Sequence, residues 1–268
     1  MSITLHANGV RFRINQHGDG GRAALLLHGF PDDAGSMYPL MDRLAEQGYT
    51  CYAPFMRGYG ESEAEPGAEF YIADLAEDAV EICEQLDLED VLLVGHDWGA
   101  IATYAACNME PTLFSRAVAM SVPPATVLLR NTLIHPEQLR RSWYMFYFQL
   151  PGIPEMRLQA DNFACIERLW RDWSPTWDIP RGRLAEVKLT FRQGQTVENA
   201  LSYYRCLMRE AVTNPARYRQ SWRLVSSSVG VPTLMLSGAD DRCVVPNSVA
   251  RPGGTYDTER RSDRIEGD

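Results

Sequence analysis

The segment Gly95-His-Asp-Trp-Gly99 places a carboxylate between two glycines, directly after a short apolar run. The run Val91–Val94 predicts a buried strand, and the stretch that starts at Ala100 predicts a helix. A sharp strand-to-helix turn with small flanking residues exposes the side chain between them for attack. The positive end of the following helix favours the ionised form of Asp97. We therefore expect Asp97 to attack carbon and form an alkyl ester, although an aspartate that only caps the strand is the alternative.

The segments around Asp97 predict an α/β fold. Asn8-Gly9 favours a hairpin turn, and Tyr71–Leu86 has the apolar stripe of an amphipathic helix. The predicted strands are Ile3–Ala7, Val10–Ile14, Ala23–Leu27, Tyr49–Ala53, Val91–Val94, Ala117–Ser121 and Val231–Leu236. Because most of these strands alternate with helices, we expect a mostly parallel sheet with helices on both faces.

A change of composition at Val122-Pro123-Pro124 predicts an inserted helical cap. All the tryptophans except Trp98 lie beyond this point, in a helical and aromatic block. We therefore divide the chain into a first core part (1–122), a helical cap (123–228), a second core part (229–250) and a disordered tail (251–268). The tail contains few large apolar residues, so it predicts no final strand or closing helix.

Composition and charge narrow the class of protein. The 268 residues are 45% hydrophobic and 23% charged, as in a soluble globular protein. A net charge of −9 argues against nucleic acid and anionic membranes as partners. The six cysteines are scattered, and no export signal or membrane-spanning run is visible. We expect a cytoplasmic protein that has free thiols and needs no metal, nucleotide, flavin or other cofactor.

Residues 1–250 resemble the α/β-hydrolase superfamily and, within it, the epoxide hydrolases with an aspartate nucleophile. The resemblance is carried by His28-Gly-Phe-Pro31, Arg57-Gly-Tyr-Gly60, Gly95–Gly99, Ser142-Trp-Tyr144 and Ser202-Tyr-Tyr-Arg205. It implies an α/β-hydrolase fold with a helical cap, and an oxyanion hole formed by the N–H groups of Phe30 and Trp98.

The resemblance also implies two cap tyrosines, Tyr144 and Tyr204, which donate hydrogen bonds to the epoxide oxygen. Phenols can do this without bringing charge into an apolar pocket. Tyr147 and Tyr203 are similar neighbours, so these two assignments have alternatives. The residues expected to contact a small apolar substrate are Trp98, Trp143, Tyr144 and Tyr204.

Asp241, beyond the strand Val231–Leu236, stands where the family places the acid that orients a catalytic histidine. Its neighbour Asp240 is the alternative. No histidine follows Asp241; the chain contains His6, His17, His28, His96 and His135. Together with the abrupt change of character after Val249-Ala250, this absence suggests a truncated or frameshifted gene product.

The leading prediction is hydrolysis of an apolar epoxide to a vicinal diol, with turnover impaired by the absence of the histidine. A haloalkane dehalogenase is the closest alternative, because that class also uses an aspartate followed by tryptophan. However, Phe30 offers no side-chain donor for a halide, and the cap tyrosines favour epoxide opening. A third possibility is a ligand-binding protein that keeps the cap pocket without turnover. The sequence leaves the oligomeric state open.

Overall fold

The computed structural model describes residues 1–134, 136–245 and 262–265. Within these ranges one sheet contains all the strands. The strands are β1 Ser2–Ala7, β2 Val10–His17, β3 Arg22–Leu27, β4 Tyr49–Pro54, β5 Glu63–Ala64, β6 Val91–His96, β7 Phe114–Met120, β8 Thr233–Gly238 and β9 Ser262–Ile265. The α-helices are α1 Tyr38–Glu46, α2 Ile72–Gln85, α3 Trp98–Met109, α4 Ala125–Ile134, α5 Pro136–Arg141, α6 Trp143–Tyr147, α7 Ile153–Trp173, α8 Arg183–Phe191, α9 Thr196–Thr213 and α10 Pro215–Ser226.

The sheet runs in the order β1-β2-β4-β3-β6-β7-β8-β9, with β5 paired to β2. β1 and β2 form the hairpin predicted at Asn8-Gly9, where both residues have positive φ. From β4 to β9 every neighbouring pair is parallel. The prediction of a mostly parallel α/β sheet is therefore confirmed.

Helices cover both faces of the sheet and bury its central strands. β3 and β6 pair in register from Ala24 opposite Leu92 to Leu27 opposite Gly95. α2 and α3 pack together in the larger core, while Met41 of α1 packs with Cys51 and Val94 in a second core. This arrangement fixes the carboxyl ends of β3, β4 and β6 side by side, which is where parallel α/β sheets bind ligands.

Helices α4–α9 lie between β7 and β8 in the chain, and we call residues 125–213 the helical insert. The insert contacts the loops after β3 and β4: the Trp170 indole N–H donates to the Pro31 carbonyl (2.8 Å), and the Tyr203 hydroxyl donates to the Arg57 carbonyl (2.9 Å). α10 packs on the core helices α2 and α3 and also on α9 and α4 of the insert.

β9 corrects the expectation that the chain lacks a final strand. It pairs parallel with β8, from Met235 opposite Ser262 to Gly238 opposite Ile265. Counting apolar residues missed this strand because an edge strand is held by main-chain hydrogen bonds and tolerates polar side chains. The other residues of the predicted disordered tail, 251–261 and 266–268, lie outside the described residues, as do 246–250.

Across the described parts of the chain, no helix combines the length and the apolar character that crossing a bilayer requires.

Candidate active site

Asp97 sits in a strained backbone conformation at the turn from β6 to α3. Its φ of 54° and ψ of −113° lie in a region that non-glycine residues rarely adopt. A Cβ on Gly95 would come within 2.0 Å of the Gly99 carbonyl oxygen, and one on Gly99 within 2.2 Å of the Leu27 carbonyl oxygen. Both glycines are therefore required, as the Gly-x-Asp-x-Gly spacing predicts.

The loop after β3 approaches the Asp97 side chain from the other side. The main-chain N–H of Phe30 donates a hydrogen bond to Asp97 Oδ1 at 2.8 Å. The main-chain N–H of Trp98 lies next to this carboxylate and also lowers its pKa. Phe30 and Trp98, the two predicted oxyanion-hole residues, thus direct their N–H groups at one carboxylate.

Burial raises the pKa of Asp97 above the ordinary value for an aspartate. Nearby His96 and the N–H groups of Phe30 and Trp98 act in the opposite direction, and the Asp241 carboxylate raises the pKa further. Burial favours the neutral acid and the N–H donors favour the carboxylate, so these donors offset part of the cost of ionisation at the turn.

The insert brings Tyr144 and Tyr204 together, near enough to Asp97 for its charge to act on both phenols. Their rings meet edge to face with centroids 5.7 Å apart, and both side chains are buried. Burial raises the pKa of each phenol well above 10, and the charge of Asp97 contributes to both shifts. Both hydroxyls are therefore protonated donors at neutral pH.

The two alternative tyrosines lie elsewhere. The Tyr203 hydroxyl is engaged by the Arg57 carbonyl, so it ties α9 to the loop after β4. Tyr147 lies beside the exposed ring of Trp143, with centroids 5.7 Å apart. The helical rotation of about 100° per residue separates Tyr203 from Tyr204 on α9.

Trp98 and Trp143, both predicted to contact substrate, have different positions. The Trp98 ring is buried and packs edge to face on Tyr204, with centroids 5.1 Å apart. Trp143 is 56% exposed on the outer surface of the insert, so the prediction for this residue is corrected. Trp143 directly precedes Tyr144 on α6, and turning Tyr144 inward turns its neighbour outward.

The structure separates the two candidate acids. Asp241 is partly buried, and its Oδ1 accepts hydrogen bonds from the N–H groups of Cys243 (2.8 Å) and Val244 (3.0 Å). Burial raises the pKa of Asp241 although these donors and the nearby His96 and Arg141 oppose the shift. Asp240 is exposed. Asp241 is therefore the carboxylate that faces the site.

His28 and His96 differ in their burial and in the groups that surround them. His28 is buried, and its Nε2 accepts a hydrogen bond from the Met56 N–H at 2.9 Å, which fixes the loop after β4. His96 is half-buried and lowers the pKa of both Asp97 and Asp241. Strand alternation predicts that its side chain points away from that of Asp97. His135 lies outside the described residues.

The sequence did not predict the residues that bind the insert to the loop after β3, which carries Phe30. Arg183 at the start of α8 forms ion pairs with Asp32 (2.9 Å) and Asp33, and the Thr190 hydroxyl donates to Asp33 at 2.6 Å. It also missed Cys243, whose Sγ lies 3.5 Å from the Tyr144 hydroxyl. Local patterns give no signal for such contacts, because their partners are about 100 to 157 residues apart in the chain.

Within the described ranges, no cluster of three or more His, Cys, Asp or Glu side chains is arranged to hold a metal ion. All six cysteines are free. The groups that converge on the site are two carboxylates, two phenols and the main-chain donors around Asp97. Such a set can provide a nucleophile, acids and oxyanion stabilisation.

Comparison with known proteins agrees with this geometry. The family model for the alpha/beta hydrolase fold matches residues 25–256. The chain is 31% identical to epoxide hydrolase 3 of Xenopus tropicalis over 89% of its own length and 64% of that protein's. It is 26% identical to the AB hydrolase superfamily protein YfhM of Bacillus subtilis, over 89% and 80% of the two chains.

Among solved structures, the Bacillus megaterium epoxide hydrolase in complex with an inhibitor matches with a TM-score of 0.84 and 25% identity. The match covers 98% of this chain and 91% of that one. The chain spans less than two thirds of the length of the vertebrate epoxide hydrolases that it matches. The matched family model and these relatives show that the chain belongs to the alpha/beta hydrolase fold family and is epoxide hydrolase-like.

Proposed function

We propose that this protein opens an apolar epoxide through an ester formed on Asp97. The observation that carries the proposal is the hydrogen bond from the Phe30 N–H to Asp97 Oδ1, beside two buried phenols, Tyr144 and Tyr204, on which the charge of Asp97 acts. It holds one carboxylate oxygen in the oxyanion hole and leaves Oδ2 for attack. The phenols then lie on the side where a bound epoxide would carry its oxygen.

In the first step, Asp97 Oδ2 forms a bond to a ring carbon while the bond between that carbon and the epoxide oxygen breaks. The oxygen takes a proton from Tyr144 or Tyr204 and becomes a hydroxyl group, and solvent returns a proton to the phenol. Because burial raises the pKa of both phenols, they carry the proton that this step needs.

In the second step, water attacks the ester carbonyl carbon and releases a vicinal diol, which regenerates the Asp97 carboxylate. The ester carbonyl oxygen is the former Oδ1, so the negative charge develops where the Phe30 N–H already donates, and we assign the Trp98 N–H as the second donor. Asp241 is placed to orient a base, but no histidine follows it in these 268 residues. We therefore propose that this chain completes the first step and that its second step is slow.

The surroundings of Asp97 favour an apolar substrate. Phe30 packs edge to face on Phe148 and Tyr204, and Tyr144 packs against Trp173. A variant of the Bacillus megaterium epoxide hydrolase was crystallised with its product (R)-3-[1]naphthyloxy-propane-1,2-diol. An aryl-substituted epoxide is therefore the appropriate first probe for this chain.

The test is intact-protein mass spectrometry after mixing the 268-residue chain with styrene oxide. We expect one added mass of the epoxide per chain, absent in Asp97→Ala and retained in the control Asp240→Ala, which removes the exposed neighbour of Asp241. A parallel reaction with a bromoalkane, followed by bromide release, tests the dehalogenase alternative. Reversible binding of both probes without any adduct would contradict the proposal and support a ligand-binding role.

The slow second step has its own test. If the ester persists because a base is absent, added imidazole should shorten the lifetime of the adduct and increase diol formation in proportion to its concentration. N-methylpyrrolidine, a base without an imidazole ring, serves as the control. An adduct that decays at an unchanged rate with added imidazole would contradict this part of the proposal.

A further inference from the structure

A thiol lies inside the site beside the phenol of Tyr144. The Sγ atom of Cys243 is 3.5 Å from the Tyr144 hydroxyl oxygen, within the range of a sulfur hydrogen bond in which either group can donate. The main chain of Cys243 is held from two sides: its N–H donates to Asp241 Oδ1 (2.8 Å), and its carbonyl accepts from Gln138 Nε2 (3.2 Å). The thiol is therefore fixed relative to both the core and the insert.

The Cys243 side chain is also electrostatically linked to the reacting groups. Burial raises the pKa of the thiol, and the Asp97 carboxylate raises it further. The thiol is consequently protonated at neutral pH, so it is a poor nucleophile but keeps its S–H donor.

The two phenols have different second partners. The Trp98 ring packs edge to face on Tyr204, with centroids 5.1 Å apart, and the thiol of Cys243 contacts the hydroxyl of Tyr144. A hydroxyl group that accepts a hydrogen bond becomes a better donor, because successive bonds in a chain polarise one another. The thiol of Cys243 can therefore orient the Tyr144 phenol and strengthen it as a donor.

We propose that Cys243 is a positioning residue for Tyr144. Before substrate binds, the phenol and the thiol hold each other in place. When the phenol turns its O–H to the epoxide oxygen, the thiol donates its S–H to the phenol oxygen, and no covalent bond to sulfur forms. The inference rests on the function proposed above, because the phenol matters only when a ring oxygen must be protonated.

The first experiment is a double-mutant cycle on the rate of adduct formation with styrene oxide. We expect Cys243→Val to slow this step about 3- to 10-fold, the scale of one weak hydrogen bond. In a Tyr144→Phe background the same substitution should change the rate less than about twofold, because the group through which it acts is gone. Cys243→Ser, which keeps a hydroxyl donor, should recover most of the rate.

Cys165→Val is the matched control, because Cys165 is a partly buried thiol of the insert that lies near Tyr147. It should leave the rate unchanged in both backgrounds. If Cys243→Val has the same effect with and without the Tyr144 hydroxyl, or no effect in either background, the positioning role is wrong.

A second readout requires no reaction. The S–H stretching band of Cys243, identified as the Raman difference between the wild-type chain and Cys243→Ala, should shift when Tyr144 is replaced by phenylalanine. An unshifted band would contradict the contact. A wild-type chain that forms no epoxide adduct would instead contradict the proposed function, so the two failures are distinguishable.

Discussion

The main-chain N–H of Phe30 and Oδ1 of Asp97 are 2.8 Å apart, and this contact joins the loop after β3 to the turn after β6. It is possible because residue 29 has no side chain. A Cβ on Gly29 would stand 2.4 Å from Asp97 Cβ and 2.5 Å from Asp97 Oδ1. The position of the carboxylate therefore depends on a glycine 68 residues earlier in the chain.

Gly29→Ala should displace the Asp97 carboxylate and lower the rate of adduct formation with styrene oxide by about 100-fold or more, since misplacing a reacting group by about 1 Å has that scale of effect. Gly21→Ala is the control, because a Cβ there meets no atom within 4 Å. Single-turnover mass spectrometry measures both rates. Equal rates for Gly29→Ala and the wild-type chain would show that Asp97 does not need this packing.

Arg183→Met should destabilise the folded chain by about 3–5 kcal/mol, because it leaves Asp32 and Asp33 buried without their cation. Urea denaturation followed by tryptophan fluorescence measures the free energy of unfolding. Arg181→Met, which removes an exposed arginine two residues earlier, should change it by less than about 0.5 kcal/mol. Similar losses for the two variants would indicate that the ion pairs between Arg183 and the core loop contribute little.

The rate of adduct formation should rise with pH and then reach a plateau. Only the carboxylate of Asp97 attacks, and burial raises its pKa, so the midpoint should lie above the ordinary value for an aspartate. The phenols should cause no decline below about pH 10, because their pKa values are raised above the ordinary tyrosine value. A rate that falls between pH 6 and 9 would contradict these assignments.

Asp97→Asn should raise the melting temperature at neutral pH by about 2–4 °C, the shift that a gain of about 1 kcal/mol gives in a chain of this size. With a raised pKa in the folded state, Asp97 binds a proton more tightly when folded, so its ionisation opposes folding as pH rises. Asparagine stays neutral and still accepts from the Phe30 N–H. The gain should vanish at a pH below the ordinary aspartate pKa, and a pH-independent gain would contradict this explanation.

Tyr144→Phe and Tyr204→Phe should each slow adduct formation about 10-fold, since the remaining phenol still donates to the epoxide oxygen. The double variant should lose about 100-fold or more, because proton donation to the leaving oxygen is then absent. Tyr147→Phe on the outer side of the insert is the control and should react at the wild-type rate. A double variant as fast as either single variant would assign proton donation to another group.

The sequence was sufficient to predict the class of fold and the strand-to-helix turn that carries Asp97. A short apolar strand, a glycine on each side of Asp97 and a helical stretch specify the turn, because the steric limits on that backbone are local. The same kind of pattern predicted the Asn8-Gly9 hairpin and the parallel sheet. The composition pattern failed at β9, since main-chain pairing at the edge of a sheet leaves little trace in composition.

The choice among neighbouring side chains depended on how the insert packs on the core. Tyr204 rather than Tyr203 faces Asp97, Asp241 rather than Asp240 is partly buried, and Trp143 points outward. Adjacent residues of the same chemistry give equal signals in a sequence, but their side chains point in different directions, about 100° apart on a helix. The partnership of Cys243 with Tyr144 is of the same kind, because it joins a core loop to an insert helix 99 residues away, and only the folded chain brings the two together.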